Sequence, residues 1–184
     1  MQTKGTAVRV LPFFIKEYFP EKYDLWLDNL PQGCKEIFTQ PIFPTAWYPL
    51  YEGMVLPTKI LGDLFYDSVE DAALEVGRYS ARVSLKGVYK VFIKITSLKF
   101  LFSQATNIVK TYYRPVDVGI EQLANKQFIL HFGKNEEHEQ LVYYRILGWI
   151  EELSQLTQGY VPNIEMNVNK DSSGLFNVWY KITF

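Results

Sequence analysis

Few side chains in this sequence have the chemistry for covalent work, and their spacing suits it poorly. The single cysteine, Cys34, would act as a nucleophile only with a depressed thiol pKa and a nearby base. Lys35 is adjacent, but no histidine lies close in sequence, so Cys34 reads as a small hydrophobe in an aromatic-rich stretch. The two histidines are His131 and His138, and Glu136, Glu137 and Glu139 beside the second would allow a carboxylate–imidazole surface site. A solvated acidic start to a helix, favoured by the helix dipole, explains that cluster better. The pairs Glu136-Glu137 and Glu151-Glu152 fall on helix ends or faces, where solvated charge is the ordinary explanation. Neither G-x-x-x-x-G-K-[ST] nor G-x-G-x-x-G occurs, so neither phosphate-cradling mode is indicated. No catalytic, metal-binding or cofactor-binding set emerges.

The residues that remain are those that build. The chain has 184 residues, 48% hydrophobic and 16% aromatic, enough for one domain with a sizeable core and no stabilising disulfide or metal. Nineteen basic against twenty acidic side chains give a net charge of -1, which removes the electrostatic case for a nucleic-acid binder. Phe128 and Phe132 lack the basic frame that stacked bases require. The longest apolar runs, such as Val88 to Ile95, are broken by lysines and fall short of a membrane span. One cysteine and no signal-peptide pattern lead to the expectation of a cytoplasmic protein.

The elements follow from hydrophobic period. Thr6 to Asn29 reads as two short helices broken at Phe19-Pro20, with Pro31-Gln32-Gly33 closing the second. Ile37 to Leu50, with Pro41, Pro44 and Pro49 among aromatics, reads as a packed connector. It is the one subdomain boundary, dividing 1–50 from 51–184 within a single domain, 1–184. Tyr51 to Tyr66 predicts a helix whose start is blurred by Pro57, and Ser68 caps a second helix over Val69 to Val83. Gly77 inside that helix costs about 1 kcal/mol against Ala, which marks the close approach of another element. Leu98 to Tyr112 is an amphipathic stripe that stops at Arg114-Pro115. Beyond it the period becomes two: a hairpin turns at Ala124-Asn125-Lys126, a helix runs from His138 to Leu156 and ends at Gly159, and a second hairpin turns at Asp171-Ser172-Ser173-Gly174. That order argues an α+β fold, with a helical N-terminal part packed on a four-stranded antiparallel sheet of two hairpins and their intervening helix.

At Gly5 to Leu30, at Pro44-Thr45-Ala46-Trp47-Tyr48-Pro49-Leu50 and at Glu75-Val76-Gly77-Arg78-Tyr79-Ser80 the chain resembles bacterial proteins related to haem nitric-oxide/oxygen binding (H-NOX) domains. That superfamily also holds vinyl-reductase-type ligand-binding domains and the small subunits of the TRAPP vesicle-tethering complex. The resemblance extends over nearly the whole chain, through Leu147-Gly148-Trp149-Ile150-Glu151, and rests on order and spacing. The Trp-Tyr-Pro connector is most similar to a branch of predicted sensory proteins multiplied in myxobacteria. Two departures matter. The family's iron-binding histidine lies on the helix that corresponds to Leu98 to Tyr112, where this chain reads Ala105-Thr106-Asn107-Ile108-Val109. The family's Tyr-x-Ser-x-Arg propionate clamp should precede the next helix, where this chain offers Phe132-Gly133-Lys134-Asn135-Glu136-Glu137, acidic where a clamp needs positive charge.

The resemblance thus implies a pocket or former pocket between the N-terminal helices and the sheet-bearing half, with no proximal-histidine haem. Leu101, Phe102, Ala105 and Ile108 from one stripe and Val142, Ile146 and Trp149 from another are its candidate lining, although plain core is the commoner role for any one of them. The expected function is a non-enzymatic sensory domain without haem iron, or any other cofactor. It would bind a small apolar molecule or acyl chain and signal through a partner protein. The other open reading is an adaptor like the TRAPP small subunits, with a filled core and a homodimer or partner surface. A pocket of roughly 300 Å³ or more would favour the first, and crystal-like packing the second.

Overall fold

A computed structural model describes residues 1–84, 100, 102 and 104–184. The stretch Val88 to Ile95, the predicted cap Ser97, Leu98 and the candidate lining residue Leu101 lie outside them.

The chain opens with β1 (Gln2–Lys4), α1 (Gly5–Val8), α2 (Val10–Tyr18) and, after a 3-10 turn at Pro20–Lys22, α3 (Tyr23–Asn29). The break at Phe19-Pro20 stands where the proline places it. Two readings of the next stretch need correction. Pro31 does not close a helix; it takes the N-cap position of α4 (Gln32–Phe38), where an amide proton is not needed, so Cys34 sits on a helix. The connector contains β2 (Trp47–Pro49), which pairs with β1, and β1 pairs in turn with β3 (Tyr113–Arg114). Pro49 is tolerated because β2 is an edge strand.

A π-helical turn at Tyr51–Val55 leads into α5 (Leu56–Phe65), with Pro57 in its first turn. The next helix, α6 (Val69–Ser84), starts as the capping pattern predicts: Ser68 Oγ accepts the Asp71 amide at 3.0 Å. Helix α7 (Ala105–Tyr112) precedes β3. The hairpin β4 (Asp117–Ala124) and β5 (Gln127–Asn135) follows, then a 3-10 turn at Glu137–Glu139, α8 (Gln140–Gln158), and the hairpin β6 (Asn163–Lys170) and β7 (Phe176–Thr183). Gly159, at φ 81°, ends α8 in the left-handed region.

The two hairpins join through β5 and β7 into one antiparallel sheet of order β4-β5-β7-β6. Phe128, Leu130 and Phe132 alternate inward with Val178, Tyr180 and Ile182 opposite them, and Tyr143 and Ile150 of α8 pack on that face. The buried hydroxyl of Tyr180 donates to the Tyr143 carbonyl at 2.8 Å, and the Tyr143 hydroxyl donates to Asn135 Oδ1. A second core, around Trp26, fills the space between α2, α3, α4, α5 and α6.

Helices α6 and α8 make the tightest crossing. A Cβ on Gly77 would lie 2.1 Å from the Arg145 carbonyl oxygen, and one on Gly148 would lie 2.1 Å from that of Leu74. Each glycine therefore receives the backbone of the other helix, which is the close approach that Gly77 foretold. Glu151 and Glu152 are not simply solvated: Arg78 holds Glu151 at 2.6 Å and Arg82 holds Glu152 at 2.9 Å, which ties the same two helices along one edge.

Candidate functional site

Beside that crossing lies a cavity of about 110 Å³. Its walls come from five directions. Helix α6 contributes Gly77, Ser80 and Ser84; α7 contributes Ala105, Ile108, Val109 and Tyr112; α8 contributes Arg145, Ile146, Trp149, Ile150 and Leu153. Thr6 and Ala7 close the N-terminal side, and Phe102, Tyr113 and Leu130 complete the lining toward the sheet. The amphipathic periods of α7 and α8 explain why two stripes converge here.

Of the residues singled out in the sequence, Phe102, Ala105, Ile108, Ile146 and Trp149 border the cavity. Val142 does not. It lies one turn lower on α8, in a cluster with Ala7, Leu50, Met54 and Val55, so the cavity ends above it. Leu101 lies outside the described residues.

The residue that sequence reasoning missed is Arg145. It sits on the inward stripe of α8, three residues after Val142 and four before Trp149, and only 4% of it is exposed. A charge at an apolar-periodic position was the available signal. Its Nη2 donates to the Ala7 carbonyl at 3.3 Å, while Nη1 is buried without a hydrogen-bond partner among the described residues. Burial pushes its pKa down, and the one titratable neighbour that opposes this is the Tyr113 phenol rather than a carboxylate. Guanidinium stays protonated far above neutral pH, so a cation stands in an apolar cavity. Holding an uncompensated charge there costs several kcal/mol.

The other chemically capable groups are placed away from this cavity or silenced. Cys34 is fully buried, and burial with Glu52 nearby pushes its thiol up to about 11, so it is inert at neutral pH. His131 is exposed on the outer face of β5, opposite Gly119. His138 lies in the turn before α8, its Nδ1 3.2 Å from Glu136 and its ring edge-on to Tyr51. Glu136 and Glu139 form a reciprocal capping box there, which accounts for the acidic cluster structurally. Among the described residues, no group of three or more His, Cys, Asp or Glu is placed to hold a metal.

A haem fits this lining poorly. Among the described residues the cavity is bordered by no imidazole, thiolate or thioether. Burial raises the pKa of the Tyr113 phenol, which keeps it protonated and a weak iron ligand. The volume of about 110 Å³ is also well below the roughly 300 Å³ from which pockets for drug-sized molecules begin.

No family model matches the chain, and no curated protein matches it in sequence. Solved structures do. The chain is similar to a point variant of the Tt H-NOX protein (TM-score 0.70, 16% identity, covering 98% of this chain and 94% of that one). It is also similar to an S. oneidensis H-NOX protein in the Fe(II)NO ligation state (TM-score 0.66, 14% identity, 97% of each chain). A third is the Fe(II) unliganded H-NOX protein from K. algicida (TM-score 0.63, 12% identity, 98% and 96% covered). At these identities the likeness establishes the fold: this chain is H-NOX-like in architecture from end to end. Among the described residues, no helix is long and apolar enough to cross a membrane.

Proposed function

We propose that residues 1–184 act as one haem-independent, non-enzymatic sensory module that binds a small apolar molecule or the end of an acyl chain and passes the bound state to a partner protein. One observation carries the reading: a space of about 110 Å³ stays open where α6, α7, α8 and the sheet meet, although bulky apolar residues surround it. Interiors ordinarily close to crystal-like density, so a gap of this size bordered by Trp149, Tyr112 and Phe102 is a feature to be explained. An apolar cavity of roughly 150 Å³ stays dry and takes up benzene or xenon, which sets the scale of the ligand. The lining offers no nucleophile paired with a base among the described residues, which favours binding over catalysis. Neither histidine borders the cavity, which supports haem independence.

A second reading, an adaptor resembling the TRAPP small subunits, draws on the same number: 110 Å³ is smaller than most ligand pockets. Native mass spectrometry of protein purified from its own host separates the two. Extra mass released on denaturation supports the sensor, whereas a native mass equal to the bare chain or its simple multiple supports the adaptor. Haem independence has its own test. Protein produced with haem supplied is expected to show no Soret band; a band that disappears when His131 or His138 is replaced would overturn that part.

A further inference from the structure

The apolar lining explains why something hydrophobic would enter the cavity, but it does not explain Arg145. Natural proteins pair their buried cations, and here Nη1 has no partner among the described residues while Nη2 makes one long bond to the Ala7 carbonyl. The helix does not hide this side chain by accident of register. Gly77 receives the Arg145 backbone at contact distance, so the residue is fixed at the crossing and cannot swing to solvent by a shift of α8. The acids of the two helices along this crossing, Glu75, Glu151 and Glu152, are engaged by Arg78 and Arg82. The guanidinium is thus left with an unpartnered Nη1, itself packed out of solvent reach, beside a cavity whose walls include the apolar faces of Ile108, Ile146 and Trp149 as well as Ser80, Ser84 and Tyr113.

We infer that the ligand of this cavity is a short apolar monocarboxylate, its carboxylate taken by the unpartnered Nη1 of Arg145 after a small turn of the guanidinium toward the cavity, and its hydrocarbon tail against Ile108, Ile146 and Trp149. The inference rests on the ligand-binding reading above and specifies its chemistry. A planar fork of N–H donors matches a carboxylate in a way that it matches no neutral head group, and in a water-poor site that match dominates recognition. The tail must be compact. Scaled from benzene in a cavity of roughly 150 Å³, the space takes roughly four to five non-hydrogen atoms, so propionate fills it and butyrate, one atom longer, extends into its open side.

The test compares head groups on the unaltered protein. Butyrate, butyramide and 1-butanol are titrated in chloride-free buffer, with calorimetry and the summed tryptophan emission, to which Trp149 at the cavity wall contributes, as readouts. Butyrate is expected to bind at least tenfold more tightly than butyramide, with affinity rising from formate to butyrate and falling again by octanoate. Arg145→Met, checked for native circular dichroism, is expected to lose the preference for butyrate over butyramide and to keep binding 1-butanol. Arg145→Lys should retain only part of the preference. Equal affinity for the three head groups would overturn the carboxylate assignment and leave an apolar-ligand module intact. Affinity that does not rise from formate to butyrate, together with displacement by chloride, would overturn it in favour of an inorganic anion site. No binding by any probe in the series would remove both this inference and the ligand-binding reading beneath it.

Discussion

Around Trp26, rings from five helices and the link after α2 close on one another: Trp26 meets Phe38 at 5.1 Å, Phe14 meets Tyr79 at 5.4 Å, and Phe19 stacks on Phe65 at 5.2 Å. The indole N–H of Trp26 donates to the Pro57 carbonyl at 3.1 Å, so even the polar atom of that core is satisfied. Around Arg145, similar aromatic and aliphatic residues stand apart and leave a gap and an unpaired donor. Bulk does not distinguish the two regions, since Trp149, Tyr112 and Phe102 all border the gap. Backbone spacing does: at Gly77 and Gly148 the α6 and α8 backbones already touch, so those helices cannot move closer to close the space beside them. The filled core reads as stability, and the gapped one as capacity.

Breaking the filled side should have the largest effect. Trp26→Ala removes a fully buried side chain and its hydrogen bond, and is expected to cost about 3–5 kcal/mol, measured by urea denaturation with the slope held constant. Gly77→Ala and Gly148→Ala come next. Each sets a methyl group against backbone that has no flexible end to give way, so each should cost about 2–3 kcal/mol and open the crossing. A loss under 0.5 kcal/mol in either glycine variant, or a gain toward the about 1 kcal/mol that Gly-to-Ala ordinarily gives in a helix, would show that the helices separate freely and that contact does not maintain the gap.

Most of the large elements were legible because their signals are local. The Ser68 cap, the Gly159 stop and the alternation of Phe128, Leu130 and Phe132 each lie within a few residues of the structure they specify. The small sheet β2-β1-β3 was not, because strands of two or three residues carry no period and their pairing joins Gln2 to Pro49 and to Arg114. Helix α4 was missed for a different reason: Pro31 and Gly33 are breakers in isolation and tolerable only at a helix start. The cavity lining was partly legible through the stripes of α7 and α8. Arg145 was overlooked although it occupies that stripe, since a cation among tyrosines passes for an ordinary surface residue until its burial is seen.

Arg145→Met sharpens the comparison from the gapped side. A methionine is of similar length, needs no partner and fits an apolar wall, so the substitution is expected to raise the stability of the ligand-free protein by about 1–3 kcal/mol, seen as a higher urea midpoint. A destabilised variant would mean that the bond to the Ala7 carbonyl outweighs the buried charge, which would make Arg145 a fastener between α8 and the N-terminal strand-helix turn.

The smallest effect is expected where volume is added to the gap. Ala105 is half-buried at the cavity wall on α7, and a leucine there would extend three more carbons into the space. Burying them is favourable by about 0.8 kcal/mol per methylene-sized group, while crowding against Ile146 and Trp149 costs a similar amount overall. The net change in unfolding free energy for Ala105→Leu should therefore stay within about 1 kcal/mol of zero, measured by the same denaturation curve. Binding should respond differently from stability, because occupying the space removes the ligand's place without disturbing the fold. A loss of 2 kcal/mol or more would show that the wall is already in contact across the gap. The two regions would then differ in polarity alone, and the open volume would no longer separate them.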